Sequence, residues 1–179
     1  MALIGEPATG KTSLAFALLN TLTLDQACPF KRGLLRGTFY KKESLFVFGL
    51  YEAGQVFAGT DRLSMGVQRD AEAFLEETAR CYPSSKVFFE GDRLGTTKFL
   101  RQCPALELLV LTVSAEEKAR RHAARGDHQT RVFLKGRKTK VNNILSEFPG
   151  ARVIKNETLE DQKFALDLMT TFVTMPGIE

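Results

Sequence analysis

Eight residues near the start of the chain have the types and spacing to hold a polyphosphate: Gly5-Glu6-Pro7-Ala8-Thr9-Gly10-Lys11-Thr12. They fit the pattern G-x-x-x-x-G-K-[ST] at every fixed position. Gly5 and Gly10 allow backbone angles that curl successive N–H groups around phosphate oxygens, with no Cβ in the way. Lys11 brings a mobile positive charge to β- and γ-phosphates, and the Thr12 hydroxyl can ligate Mg²⁺. The expected contact set is Gly5, Glu6, Pro7, Ala8, Thr9, Gly10, Lys11, Thr12 and Ser13. Such a loop works only between a strand and a helix. Residues 1–4 are an apolar run fit for the strand, and Leu14, Ala15, Leu18, Leu19 and Leu22 recur behind the loop at helical spacing. The helix N-terminus then adds its partial positive charge at the phosphates. A Gly-rich turn can match the pattern by chance, but here strand, loop and helix are all in place. The expected ligand is a nucleoside triphosphate.

The rest of the chain must position that loop. Residues 25–31 read as a polar connection broken by Pro29. Residues 33–40 and 45–51 form a hairpin signal around Lys41-Lys42-Glu43-Ser44, with both faces of the second run apolar. An irregular stretch over 53–64 leads to a helix over 65–81, which Asp61 or Ser64 can cap. A strand over 86–90 delivers Gly91-Asp92-Arg93 at its carboxyl end, and a short helix follows that finishes over 99–103, before Pro104. The run 106–113 is nearly all apolar and suits an interior parallel strand. Ser114, Glu116 and Glu117 open a helix that runs to Gly126. A second basic helix covers 129–148, a small strand 151–154, and a closing helix 158–174 with Phe164, Leu168 and Phe172 as its apolar stripe. Strands alternating with helices in this way predict an α/β fold, a mostly parallel sheet with helices on both faces.

Bulk properties narrow the class. The 179 residues fit one domain over 1–179, and 44% apolar content can fill a core. No run of eighteen apolar residues is present, so no membrane span is expected. The start lacks a basic region and does not read as a signal peptide; four residues also make a short first strand, which leaves room for a natural start upstream. Cys28, Cys81 and Cys103 are scattered and odd in number, which fits neither a disulfide framework nor a zinc site and points to reduced thiols in the cytoplasm. The net charge of +4 hides an asymmetry: residues 118–140 carry nine Lys and Arg against Asp127, or +8, and the remainder carries −4. One basic segment on a mildly acidic body suggests an anion handled in one place. His122 and His128 lack metal-ligand partners and read as bystanders.

The order of these parts is similar to the P-loop kinases of small molecules, the broad group of nucleoside and nucleoside-monophosphate kinases. The resemblance covers most of the chain, with the 5–12 loop as its specific motif. It implies a three-layer P-loop NTPase fold and transfer of a phosphoryl group from ATP, with Mg²⁺, to a small acceptor such as a nucleoside or nucleotide. In Thr60-Asp61-Arg62 it implies that Asp61 meets the acceptor, sometimes as general base, against the plainer reading of a helix cap. In Glu90-Gly91-Asp92-Arg93 it implies an acid organising Mg²⁺ beside an arginine; Asp92 joins Thr12 as the expected metal residue, with Glu90 the alternative. Surface pairing of Arg93 with Asp92 or Glu90 is the plainer reading there.

The basic segment over 115–140 falls where such kinases carry a lid. Arg120, Arg121 and Arg125, with Arg131, Arg137 and Lys138 beyond Gly126, would close over the transferred group, against the plainer reading of a solvated helix face. Lys11, Asp61, Asp92, Arg93, Arg121 and Arg125 are thus the expected catalytic set. Other P-loop classes fit less well. Asp92-Arg93-Leu94-Gly95 has the weak D-x-x-G form, but no N-K-x-D guanine reader occurs, and Lys155-Asn156-Glu157 is not one. The competing class is a polynucleotide 5′-hydroxyl kinase or a DNA- or RNA-handling ATPase, using the same cations on a phosphate backbone. Against it, Phe133 is the only aromatic among those cations. A nucleotide-binding module without catalysis is the third class.

Overall fold

The computed structural model describes residues 1–52, 58–126 and 129–175. Seven strands are described: β1 (Ala2–Gly5), β2 (Ala27–Arg32), β3 (Leu35–Tyr40), β4 (Leu45–Phe48), β5 (Lys86–Glu90), β6 (Leu108–Thr112) and β7 (Arg152–Lys155). They form one sheet in the order β2-β3-β4-β5-β1-β6-β7. The pairs from β4 to β7 are parallel, and β2 and β3 add an antiparallel edge. Six helices are described: α1 (Lys11–Leu19), α2 (Val67–Cys81), α3 (Thr97–Leu100), α4 (Ala115–Arg125), α5 (Arg131–Glu147) and α6 (Leu159–Thr174).

The two-residue period of the strands divides the core. Leu3, Leu45, Val47, Phe88, Leu109 and Leu111 face α1 and α6, while Ala2, Ile4, Phe46, Phe48, Phe89 and Val110 face α2, α3 and α5. Helices therefore cover both faces of a mostly parallel, mixed α/β sheet, and β4 is buried at all four positions because both its faces are covered. Phe74 of α2 anchors the hairpin side, its ring stacked on Phe30 at 5.0 Å and edge-on to Phe46 at 5.1 Å. Burial of each such ring is worth about 1.5–3 kcal/mol. No described helix is long and apolar enough to cross a membrane.

Several expected elements shift. Most of the stretch expected as a connection over 25–31 is instead β2, which follows a single 3-10 turn at Leu24–Gln26 and pairs along its length with β3. Pro29 is tolerated because β2 is the edge strand, and Phe30 gains burial against Phe46 and Phe74. The short helix is Thr97–Leu100, capped by Thr96, and ends before the expected close at Cys103. Neither Asp61 nor Ser64 caps α2, whose N-cap is Gly66 without a side-chain hydrogen bond. On α6 the buried stripe is Ala165, Met169 and Val173, one position on from the expected one, and Phe164 is exposed. The small Ala165 belongs to the core shared with α1, whereas Leu168 and Phe172 are only partly buried. Thr158 starts α6 with a reciprocal capping box to Asp161, worth about 1 kcal/mol. Of the irregular stretch 53–64, residues 53–57 lie outside the described residues, as does His128.

Candidate functional site

Strand register brings the chemistry-bearing residues to one edge. β1 lies between β5, where Leu3 is level with Glu90, and β6, where Gly5 is level with Leu111. The 5–12 loop, the segment after β5 and the connection after β7 therefore share the carboxyl edge of the sheet, where open α/β sheets bind ligands.

The loop is tightly made. A Cβ on Gly5 would stand 2.7 Å from both the Leu111 carbonyl oxygen and Thr9 Oγ1, and Gly10, at φ 92°, has the Asn156 amide where its Cβ would go. Ala8 also takes a left-handed conformation, φ 62°, which the sequence does not announce and which costs about 1–2 kcal/mol in a residue with a Cβ. Lys11 lies back across the loop, its Nζ donating to the carbonyls of Gly5 at 2.9 Å and Glu6 at 3.0 Å. The first turn of α1 has no side-chain cap and no acid, so its N–H groups are not engaged by an acidic side chain of that turn. Pro7 and Thr12 are half-buried, and Ser13 is exposed beside them.

Three side chains brace the loop from outside. The Asn156 amide, buried at 2% exposure, donates Nδ2 to the Thr9 carbonyl at 2.7 Å. Arg121 donates to the Ala8 carbonyl at 3.3 Å and to the Asn156 carbonyl at 2.7 Å, while its Nε bonds Glu117 at 2.6 Å. Lys118 pairs with Glu6 at 2.7 Å. The hydrogen bonds from Arg120 and Arg121 hold the Glu117 carboxyl down at about 2. The first turns of α4 are thus a wall of the loop. Arg125, one turn later, is exposed.

On the other side stand the acids. Thr12 donates its hydroxyl to Glu90 Oε1 at 3.2 Å, and Thr60 donates to the Glu90 carbonyl oxygen at 2.7 Å. Glu90 is 1% exposed, and burial pushes its carboxyl up to about 7 against the opposing pull of Lys11. Gly59, at φ 68°, leaves room for that carboxylate, which a Cβ there would strike. The Tyr51 phenol is raised well above its usual range by burial and by Glu90 and Asp61. Asp61 Oδ1 accepts the backbone N–H of Asp92 at 2.6 Å and of Arg93 at 3.3 Å, so it holds the segment after β5 in place. Asp92 reaches α5, with Oδ2 3.2 Å from Arg137 and Oδ1 3.7 Å from Lys140. Lys140 also donates to the Asp92 carbonyl at 2.8 Å. Arg93 donates Nε to the Leu63 carbonyl at 3.3 Å.

The structure brings together Lys11, Thr12, Asp61, Glu90, Asp92 and Arg93, with Arg121 against the loop, whereas Arg125 is exposed on α4. Residues the sequence did not single out are Asn156, Thr60, Tyr51 and Lys140. Asn156 follows the last strand and Lys140 stands one helical turn from Arg137, which are the local signals that mark them. An apolar cavity of about 430 Å³ lies at the opposite end of the sheet, against Met1, Val87, Leu106 and Phe172, and shares no residue with this cluster. Compared with known proteins, the chain matches no family model and no curated protein.

Proposed function

We propose that the chain is a P-loop phosphotransferase, a kinase that moves the γ-phosphoryl group of ATP to a small acceptor, a nucleoside or a nucleotide. The observation that carries this reading is the 5–12 loop itself. Its two glycines are backed by packed atoms, an uncapped helix starts at Lys11, and Thr12 is joined to a buried carboxylate on the neighbouring strand. The loop N–H groups and the start of α1 hold the β-phosphate, and Lys11 exchanges the Gly5 and Glu6 carbonyls for phosphate oxygens.

The oxygen donors at this point suit Mg²⁺. Thr12 would hold it, Glu90 and Asp92 would order its waters, and when bound it neutralises charge on the β- and γ-phosphates. Among the described residues no group of three His, Cys, Asp or Glu forms a metal cage. Asp61 holds Asp92 and Arg93 in register. Arg121 keeps the loop in shape, and Arg125 and Arg131, exposed on either side of Gly126, would close with the 115–140 segment over the transferred group.

A second reading has its own support. Arg125, Arg131, Lys135 and Lys138 are exposed on α4 and α5, which would suit a polynucleotide backbone. The primary reading is tested by transfer of label from γ-labelled MgATP to nucleosides, nucleotides and 5′-hydroxyl oligonucleotides, with Lys11→Ala as the control.

A further inference from the structure

The 5–12 loop carries an acid of its own. Glu6 is its second residue, where a carboxylate sets negative charge beside a strongly anionic ligand and works against binding. The internal structure of the loop does not use that carboxylate. Glu6 contributes its backbone carbonyl instead, which accepts from Thr9 Oγ1 at 2.9 Å and from Lys11 Nζ at 3.0 Å. Its side chain pairs with Lys118 on α4, Oε1 to Nζ at 2.7 Å, and each side chain is 20% exposed.

Lys118 is poorly placed for its own helix. It is the fourth residue of α4, near the N-terminal end, where the helix dipole disfavours a cation. Nor does it have an acid at helical-neighbour spacing, since Ser114, Ala115, Arg121 and His122 stand three and four positions away. Arg121 differs. Its Nε bonds Glu117 at 2.6 Å within α4, while its other nitrogens reach the Ala8 and Asn156 carbonyls. Helix α4 therefore brings two cations to the loop, one balanced inside the helix and one balanced by Glu6. An ion pair still in reach of solvent adds little to stability. What this pair changes is the charge beside the loop.

Resting on the reading of the 5–12 loop as the triphosphate site, we propose that Lys118 is a positioning residue for that ligand. It cancels the Glu6 carboxylate, so that tight binding of the triphosphate requires α4 to be seated against the loop. Lys118 acts through Glu6 rather than by touching the phosphates. With the pair intact, the loop N–H groups, the start of α1 and Lys11 meet the ligand unopposed. With Lys118 withdrawn, one full negative charge stands beside them.

The test is calorimetric binding of MgATP at about 50 mM salt, where partly exposed charges are weakly screened. It compares the wild type, Lys118→Ala, Glu6→Gln and the double variant, each checked for fold by circular dichroism. The pair is neutral in the wild type and absent in the double variant, whereas Lys118→Ala leaves a negative charge and Glu6→Gln a positive one. Affinity should follow that charge: about tenfold weaker in Lys118→Ala, about threefold tighter in Glu6→Gln, and within about threefold of wild type in the double variant. A pair that merely held α4 in place would not give that return, because the double variant lacks both its ends. Wild-type affinity in Lys118→Ala overturns the proposal. So does a double variant as weak as Lys118→Ala, which would put Lys118 on the phosphates themselves. Should Lys118→Ala fail to fold, Glu6→Gln decides, and affinity no tighter than wild type overturns the proposal. In each of these cases the loop stands as the triphosphate site, whereas no binding of MgATP by the folded wild type overturns that reading and the proposal with it.

Discussion

Glu90 sits in the core edge at a cost in stability. Its carboxyl is raised to about 7 from 4.5, chiefly by burial, so between those values the folded chain binds more protons than the unfolded one. Stability contributed at low pH is therefore lost as pH rises through this window and stays lost above it. The shift corresponds to roughly 3 kcal/mol at most. Glu90→Gln, without nucleotide or metal, should raise stability at pH 8 by up to that amount, with the gain fading toward pH 4.5. Denaturant melts at the two pH values read this directly. A Gln variant no more stable than the wild type at pH 8 would show that the carboxylate is not strained by burial. The same variant should lose Mg²⁺-dependent transfer, since the group that destabilises the empty fold is the one proposed to order the ion's water shell. Ala8 makes a smaller version of this trade, left-handed with its carbonyl turned to Arg121.

At the scale of elements, the loop is shaped as much by its braces as by its glycines. Asn156→Ala removes the bond to the Thr9 carbonyl and leaves Arg121 and Lys118 to hold the loop. The KM of MgATP should rise by about tenfold or more with kcat changed less, because a loop poorly shaped for the phosphates loses ground-state binding. A fall in kcat at constant KM would place Asn156 in the chemical step instead. The loop was legible in the sequence because all its determinants lie within nine residues of one another and its strand and helix flank it. Asn156 was not, because its partner Thr9 is 147 positions away, and nor was the grip of Lys140 on Asp92 across 48. The α6 stripe was read with the right period and the wrong phase. Phe164, Leu168 and Phe172 are the larger side chains, but Ala165 and Met169 are the ones fully buried in the core shared with α1. The edge strand β2 was hidden by Pro29, a local signal overridden when Phe30 found three phenylalanine rings.

For the whole molecule, the +8 segment divides into two populations. Lys118, Arg121, Arg137 and Lys140 are half-buried and bonded to Glu6, Glu117 and Asp92, and the exposed Arg120 is paired with Glu117, whereas Arg125, Arg131, Lys135 and Lys138 make up the second, exposed group. Only the second group is available to a long polyanion. Anisotropy of a labelled single-stranded oligonucleotide should therefore show weak binding at about 150 mM salt, where exposed charges are screened within a short distance. Micromolar or tighter binding there, falling with salt by about 0.7 log units per phosphate contact and lost in Arg125→Ala/Lys138→Ala, would favour the polynucleotide reading. The kinase reading itself stands or falls on Lys11, whose ammonium donates to the Gly5 and Glu6 carbonyls of the loop. The decisive measurement follows γ-labelled MgATP with a nucleotide acceptor in the wild-type chain and in Lys11→Ala, each checked for fold by circular dichroism. Label should move to the acceptor in the wild type and slow by at least about a hundredfold in the folded variant, the scale of losing one charge-stabilising donor. Transfer at an undiminished rate in folded Lys11→Ala, or label appearing in no acceptor at all, would contradict it.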